Sequence, residues 1–344
     1  MESAGAVIFS QLLKGLSLWI FFFPMRWIAQ RLSWQLALKV GALLGSFHAL
    51  CLADQLQCGI RKGLQAVWRD ELPIAELNRL VRRNLITRYK HLIDGFFYQR
   101  LDEALIQRMV PTIEGRAHLD AALSSGKGAI LLMSHFGSFG MLIAGLVLRG
   151  YTLHQIFTLS PPPPYRTWRW VERAIMKAKL SCWAHARLGC TFWRPGMYLR
   201  PLYRRLLAGD ILVMYGDGAR GHGFTRVRFM GYPLSLSTGP FRIAAKTHVP
   251  LIPAFIIREA DDTHRIILEQ PIMLDDDTPC GIQQGACQYA SLLAHYIRTY
   301  PDHWFTWARL RWTSKHGSRW LELTPGDTTD EEFYSIHASP IGRR

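Results

Sequence analysis

The stretch GAILLMSHFG, residues 128–137, decides the fold. Its uncharged first part, residues 128–133, runs directly into Ser134, His135, Phe136 and Gly137. A short apolar run that ends at turn residues is typical of a strand buried on both faces. In α/β sheets, ligands bind beyond the carboxyl ends of such strands. His135 therefore stands at a position where a neutral imidazole can take a proton from an alcohol or an amine.

Similar apolar runs recur along the chain and alternate with helical patterns at 141–149 and 240–247. They are DILVMY (210–215), PLIPAFII (250–257) and HRIILEQPI (264–272). This alternation predicts an α/β fold with a central, largely parallel sheet flanked by helices.

The composition indicates a folded chain with anionic partners. Of 344 residues, 49% are hydrophobic and 19% are charged, which excludes a mainly disordered chain. The net charge of +15 attracts nucleic acid, anionic lipid, phosphorylated substrates or an acidic carrier protein. No nucleic-acid partner is expected, because zinc-finger spacing, an aromatic RNA-binding block and a basic recognition helix are all missing. The six cysteines contain no C-x-x-C pair, and no metal site is expected.

The N-terminal part is apolar enough to associate with a membrane. Residues 5–25 are long enough to cross a bilayer, but Lys14 near the centre of the run opposes insertion. A spanning anchor and an interfacial helix both fit this stretch, and a buried helix of a soluble core is a third interpretation. Residues 32–52 form a second apolar stretch that can complete a helical hairpin. A removed signal peptide is not expected, since no cleavage site follows.

A basic amphipathic pattern between residues 75 and 110 predicts helix. Apolar side chains recur at helical spacing, and five cations lie among them: Arg79, Arg82, Arg83, Arg88 and Lys90. A solvated helix face is the usual meaning of such charge. A face that contacts lipid or a carrier protein is the alternative.

Three further blocks hold candidate chemistry. Gly216-Asp217-Gly218-Ala219-Arg220 follows a predicted strand, and its glycines allow close approach of the backbone to a ligand. Gly189-Cys190-Thr191-Phe192-Trp193-Arg194 combines aromatic rings with a cation. Residues 249–253 are a strand entered through proline.

In this order, the blocks resemble the lysophospholipid acyltransferase superfamily, and most of all the late acyltransferases of lipid A biosynthesis. FMGYPLSLSTGPFRIAAKTHVPLIPAFIIRE (229–259) resembles their Phe-Gly-x-Pro, Thr-Gly-Pro and Pro-x-x-Pro run. YPDHWFTWARLRW (300–312) resembles their C-terminal Trp/Arg signature. The resemblance covers roughly residues 10–313.

The resemblance implies a transferase at the cytoplasmic face of a bacterial inner membrane. It implies that an acyl group moves from a carrier-protein thioester to a hydroxyl of a phosphorylated lipid, with His135 as general base and no resident cofactor. Arg194 and Arg220 are expected to face the acceptor phosphate or the donor phosphopantetheine. The candidate catalytic residues are His135 and Asp217, and the candidate substrate-binding residues are Ser138, Phe192, Arg194, Gly218 and Arg220.

One position departs from the family pattern. The motif carries an acidic residue five positions after the histidine, and here that residue is Gly140. Another acid, Asp217 being the nearest by motif placement, or a backbone carbonyl can orient His135 instead. Alternatively, the donor is aminoacyl, for example glycyl, and needs less help from a base. The third interpretation is a non-catalytic relative that binds lipid or carrier protein. We also expect Gly140 to leave space beside the histidine for a different acceptor.

The predicted organisation has three parts. Residues 1–55 form membrane-associated helices, 56–313 the acyltransferase-like α/β domain, and 314–344 a polar tail. A hydrolase with Ser134 or Ser138 as nucleophile is disfavoured, because the G-x-S-x-G spacing fails around these serines.

Overall fold

Two β-sheets organise the chain in the computed structural model, which describes residues 19–52, 55–68, 71–156, 190–193, 199–217, 223–315 and 318–323. The strands are β1 (Thr112–Glu114), β2 (Ala129–Met133), β3 (Leu153–Ile156), β4 (Thr191–Trp193), β5 (Ile211–Tyr215), β6 (Phe224–Phe229), β7 (Tyr232–Ser237), β8 (Leu251–Arg258), β9 (His264–Leu268), β10 (Leu310–Lys315) and β11 (Ser318–Leu323).

The larger sheet has the strand order β1-β9-β8-β2-β5-β3-β4. Its central strand β2 lies parallel to both neighbours, with Ile130 paired to Leu212 of β5 and to Leu251 of β8. Among the described pairs of this sheet, only β8 and β9 run antiparallel. The predicted α/β class with a largely parallel sheet is therefore confirmed, and the carboxyl ends of β2, β5, β3 and β4 lie along one edge.

The helices cover this sheet and carry most of the remaining core. They are α1 (Arg26–Ala29), α2 (Trp34–Cys51), α3 (Gln55–Trp68), α4 (Ile74–Phe97), α5 (Glu103–Met109), α6 (Arg116–Ser124), α7 (Phe139–Val147), α8 (Arg200–Leu207), α9 (Gly239–Thr247) and α10 (Pro279–Thr299).

The predicted helix at 75–110 is two helices rather than one. After α4 and a single turn at Tyr98–Arg100, the chain restarts at α5, where the Asp102 carboxylate accepts a hydrogen bond from Leu105 N at 2.7 Å. This N-cap defines the break, because a capping carboxylate satisfies an amide that has no partner within the helix. The predicted strand at 264–272 also ends early, at Leu268, and Ile272 makes only an isolated bridge to Leu251.

The long helix α4 packs along α2 at two glycines. A Cβ atom at Gly41 would contact Ile93, and one at Gly45 would overlap the backbone of Ile86. The inner face of α2 is therefore buried against α4, while its opposite face remains exposed.

The hydrophobic N-terminal segment gives no continuous membrane span within the described residues. No single helix there is both long enough and apolar enough to cross a bilayer, and α2 with α3 passes such a test only as a pair bent by 83°. Most of the predicted apolar stretch at 5–25 lies outside the described residues.

The smaller sheet has the order β10-β11-β7-β6. It includes residues 318–323, so regular structure continues past the predicted boundary at residue 313. The four consecutive prolines at 161–164 lie outside the described residues.

Candidate active site

The turn that carries His135 is tied to a segment near the C-terminus. Phe305 N donates to the carbonyl of His135 at 2.8 Å, and Gly137 N donates to the carbonyl of His303 at 2.8 Å. Gly137 adopts a φ of 57°, and a Cβ atom at this position would overlap the carbonyl of Ile256. The residue after Phe136 must therefore be glycine for the chain to leave β2 and enter α7 in this way.

Asp217, directly beyond β5, is the acid that faces the histidine. Its Oδ1 lies 2.8 Å from Nδ1 of His135, and the backbone amide of His135 donates to Oδ2 at 3.0 Å. Trp304 Nε1 and Thr306 Oγ1 donate to the same Oδ2 at 2.9 and 2.8 Å. The carboxylate is completely buried, and these donors replace the water that burial removes.

The charge on Asp217 sets the proton arrangement of the imidazole. Burial alone would raise the pKa of Asp217, but attraction to His135 and the hydrogen bonds from His135 and Thr306 outweigh it, so the pKa is lowered. An ionised carboxylate only accepts hydrogen bonds, which assigns the proton to Nδ1 of His135. Nε2 makes no hydrogen bond with a described residue, and the side chain is 20% exposed. Nε2 is thus the nitrogen that can receive a proton.

Two aromatic rings hold the imidazole plane. Tyr215 stacks on His135 with ring centroids 4.6 Å apart and an interplanar angle of 22°. Phe139 meets the same ring edge-on at 5.6 Å. The Tyr215 hydroxyl accepts a hydrogen bond from Gln155 at 3.3 Å, and burial raises the pKa of this hydroxyl. The ring of His135 is therefore fixed by stacking as well as by hydrogen bonds.

The space expected beside Gly140 is occupied, so that prediction is wrong. A Cβ atom at Gly140 would overlap the phenol oxygen of Tyr98, and Tyr98 is itself buried. The reason is that α4 ends directly above the first turn of α7. A carboxylate side chain at position 140 has no room in this packing.

Ser138 lies in a buried polar network behind the histidine turn. Its hydroxyl donates to the Asp94 carboxylate. His91 Nδ1 lies 3.2 Å from the hydroxyl oxygen of Ser138. Asp94 also pairs with Arg258, and His264 Nε2 lies 3.4 Å away. Burial would raise the pKa of Asp94, yet Arg258 and His264 lower it. Burial lowers the pKa of His91 to about 3, so its imidazole is neutral.

This network bears on two predictions. Ser138 is 1% exposed and Ser134 is 2% exposed, which further disfavours either serine as a hydrolytic nucleophile. The predicted contact of Ser138 with substrate stays a prediction, and its burial favours a role in anchoring the start of α7.

The other four predicted substrate-binding residues lie wholly or partly outside the described part of the chain. Arg194, Gly218 and Arg220 lie outside the described residues. Phe192 belongs to β4, at the same sheet edge, and its side chain lies outside the described part of the chain. Within the described residues, no group of three or more His, Cys, Asp or Glu side chains is arranged to hold a metal ion.

Sequence reasoning missed four residues that build the site: Tyr98, Tyr215, Trp304 and Thr306. Trp304 and Thr306 belong to the Trp/Arg signature, which carried the resemblance without any role being assigned to them. Tyr215 ends a strand that was predicted correctly. Nothing in the local sequence points from Tyr98 to Gly140.

Comparison with known protein families gives a match over most of the chain. The family described as bacterial lipid A biosynthesis acyltransferase matches residues 8–314. No curated protein matches the chain significantly.

Restoring the motif acid is expected to damage the protein. Gly140→Asp forces its side chain into Tyr98, and overpacking of this kind costs about 1–3 kcal/mol of unfolding free energy. Urea unfolding followed by tryptophan fluorescence measures the loss. The double variant Gly140→Asp with Tyr98→Ala makes room and should regain part of it. A single variant as stable as the unmodified chain would contradict the contact between positions 98 and 140.

Asp217→Asn is expected to remove most transfer activity while the chain stays folded. The amide keeps the size of the carboxylate but no longer selects the Nδ1-protonated imidazole, and the same change in a serine protease lowers kcat about 10⁴-fold. Initial rates at saturating donor measure the effect. A loss below about tenfold would show that another group orients His135.

A stability measurement serves as the control for this variant. Because the folded pKa of Asp217 is lowered, its carboxylate stabilises the fold above the ordinary value of 3.8, and this contribution disappears as the pH falls through the lower folded pKa. The unfolding free energy of Asp217→Asn should therefore fall less steeply below pH 4 than that of the unmodified chain.

Proposed function

The chain belongs to the bacterial lipid A biosynthesis acyltransferases, and we propose that it moves an acyl group from a carrier-protein thioester to a hydroxyl of lipid A or a related phosphorylated glycolipid. Family membership implies acyltransferase activity in general. The observation that carries the finer proposal is the His135 imidazole, held 2.8 Å from a buried carboxylate with Nε2 open. This arrangement is suited to activating a hydroxyl.

The first step is proton removal from the acceptor. Nε2 of His135 takes the proton of the lipid hydroxyl while the hydroxyl oxygen attacks the thioester carbonyl. The imidazolium that forms donates through Nδ1 to Asp217, whose negative charge stabilises it. Asp217 acts through His135 and is a positioning residue, as are Trp304 and Thr306, which hold Asp217.

The second step is collapse of the tetrahedral intermediate. The carbon–sulfur bond breaks, the electron pair leaves with sulfur, and the imidazolium returns its proton to the thiolate. The products are the acylated lipid and the free carrier thiol, so atoms and charge balance without a resident cofactor. The thioester itself is the co-substrate.

The net charge of +15 supports the two partners in this reaction. A phosphorylated lipid and an acidic carrier protein are both anionic, and a positive field speeds the encounter with each of them. Arg194 and Arg220 remain our candidates for the phosphate groups.

An aminoacyl donor, such as a glycyl thioester, is the second candidate. The observation that favours it is the glycine at position 140. The side chain of Tyr98 leaves no room for a carboxylate there. The ammonium group of an aminoacyl donor withdraws electrons from the thioester carbonyl. The carbonyl is then attacked more readily, so the reaction needs less help from a base. The same His135 and Asp217 serve this reaction.

The exposed face of α2 supports contact with a membrane, which we propose to be the cytoplasmic face of the inner membrane. Most of the exposed large apolar side chains that the structure describes lie within residues 19–52. Leu43, Phe47 and Leu50 of α2 are 70%, 57% and 72% exposed, with Lys39 also exposed on this helix. Arg31 lies 3.5 Å over the ring of Trp27, a pairing suited to a headgroup layer. We propose that α2 lies in the membrane interface.

Mass spectrometry of lipid A from bacterial cells with and without the gene tests the proposed reaction. We expect a mass gain of one acyl chain that is lost in His135→Ala, because the acceptor proton then has no base. A gain the size of an amino acid would favour the aminoacyl donor. No gain in any lipid would favour the non-catalytic interpretation. Folding of His135→Ala is checked by its urea unfolding midpoint.

Vesicle binding tests the proposed membrane face. The double variant Leu43→Glu with Phe47→Glu should bind vesicles that contain anionic lipid about tenfold more weakly or worse, since each buried apolar side chain contributes about 1.5–3 kcal/mol. Leu207→Glu is the matched control, because Leu207 is 47% exposed on α8, outside this face. Equal binding by all three proteins would remove α2 from the interface.

A further inference from the structure

A tyrosine that the proposed chemistry does not use joins the ends of the two strands that lead to His135 and Asp217. Tyr289 lies in the middle of α10, and its side chain is completely buried. Its hydroxyl donates a hydrogen bond to the backbone carbonyl of Met133, the last residue of β2, at 3.0 Å. Gly216 N, directly after β5, donates to the same carbonyl at 2.8 Å. Both lone pairs of that carbonyl are therefore used at the point where the two strands end.

The register of the two strands makes this junction important for the site. Met133 pairs with Tyr215, and this is the last pair between β2 and β5. His135 and Asp217 each follow that pair by two positions. Any change in the separation or the angle of the strand ends is therefore passed on to the contact between the imidazole and the carboxylate.

The residue between Tyr215 and Asp217 is adapted to this tyrosine. A Cβ atom at Gly216 would overlap the ring of Tyr289. Glycine at this position thus lets the ring pack directly on the backbone that leads from β5 to the carboxylate. Phe241 of α9 packs edge-on against the same ring, with ring centroids 6.4 Å apart. The phenol is therefore held in place by the backbone of one element and the side chain of another.

Tyr289 reaches the strand ends from the face of the sheet opposite to the rings that hold the imidazole. Its side chain belongs to the same hydrophobic core as Leu132 of β2. Phe139, which meets His135 edge-on, belongs to a second core together with Met133. Since side chains alternate between the faces along a strand, these two cores lie on opposite faces of the sheet. The hydroxyl of Tyr289 therefore acts on the site through the backbone of the strand ends.

Burial makes the Tyr289 hydroxyl a constant donor. Burial raises the pKa of this phenol well above its ordinary value of 10.0, and the negative charge of Asp217 raises it further. The phenol thus keeps its proton, and its hydrogen bond to Met133, at neutral pH. A buried hydroxyl that lost this acceptor would be left unpaired, so the hydrogen bond also fixes the orientation of the ring.

We propose that Tyr289 is a positioning residue for the transfer reaction: its hydroxyl fixes the end of β2 against the end of β5 and so sets the contact between His135 and Asp217. The inference rests on the proposed function, in which this pair of residues activates the acceptor hydroxyl. Such a pair must be held closely in place, because a displacement of about 1 Å lowers a rate about 100-fold. The hydrogen bond at the strand ends supplies this restraint from behind the site.

Tyr289→Phe tests the inference, since it removes the hydroxyl and keeps the ring. We expect the kcat of transfer to fall about tenfold while the KM values of both substrates stay unchanged, because His135 loses orientation and no substrate contact is removed. Tyr296→Phe is the matched control. It makes the same change on the same helix, at a buried tyrosine whose hydroxyl donates to Glu269 instead of to β2. Urea unfolding midpoints check that both variants fold.

NMR of protein with isotope-labelled histidine measures the arrangement of His135 without turnover. In the unmodified chain the Nδ1 proton of His135 lies between the ring and Asp217, and its signal is identified by its loss in His135→Ala. In Tyr289→Phe we expect this signal to weaken and the nitrogen shifts to indicate a mixture of tautomers, because a more variable contact selects the Nδ1-protonated ring less strictly. Tyr296→Phe should leave the shifts unchanged.

A substitution at Gly216 reaches the same displacement by a second route. Gly216→Ala pushes the ring of Tyr289 away from the strand ends, so the kcat and the Nδ1 signal should change as they do in Tyr289→Phe. Gly216→Ala with Tyr289→Leu relieves the overlap. We expect this double variant to regain the unfolding midpoint but not the kcat, because the hydroxyl is still missing. The comparison separates loss of stability from loss of position.

The outcomes separate this inference from the proposed function. A changed Nδ1 signal in Tyr289→Phe supports the inference even where no protein, the unmodified chain included, transfers an acyl group, and only the proposed function then fails. An unchanged signal overturns the inference. So does a kcat equal to that of an active unmodified chain. An equal loss in Tyr289→Phe and Tyr296→Phe also overturns it, because the effect would then belong to α10 as a whole.

Discussion

The buried carboxylate of Asp217 is the constraint on which the rest of the site depends. A charge without water needs a hydrogen bond for each of its lone pairs, and leaving it unpaired costs several kcal/mol. The donors come from the end of β2, through His135, and from the C-terminal segment, through Trp304 and Thr306. Satisfying one carboxylate thus joins three distant parts of the chain at the carboxyl edge of the sheet.

The C-terminal segment is accordingly part of the candidate active site. It accepts from Gly137 and donates to the carbonyl of His135, so the turn after β2 is held on its backbone as well as through Asp217. Asn84 of α4 donates to the carbonyls of Asp302 and Trp304, each at 2.9 Å, which anchors the segment from the other side. These contacts give the tryptophan-rich signature a physical role: it positions the acid and the histidine together.

The missing motif acid has a structural counterpart. Tyr98 fills the volume above Gly140, and Asp94, one turn earlier on α4, binds Ser138 just before α7. The first turn of α7 is therefore held by a tyrosine and a serine–aspartate contact in place of a second carboxylate at the histidine. Among the described residues, Asp217 is the acid that orients the imidazole, and stacking on Tyr215 restricts the remaining freedom of the ring.

Local sequence determined the class of fold and the position of the histidine. The runs that form β2, β5 and β8 are short, apolar and bounded by turn residues. This pattern is set by neighbouring residues, so it predicts a buried strand without knowledge of the strand that pairs with it. The sequence left several candidates for the group that orients His135. Asp217 was one of them, but it lies 82 positions away, and the local sequence does not show that the two residues meet. Packing of α4 and of the C-terminal segment brings Tyr98, Trp304 and Thr306 to the site. The periodicity of the local sequence does not predict such contacts. Tertiary structure decided which acid faces the histidine, since only the folded chain brings those donors around one buried charge.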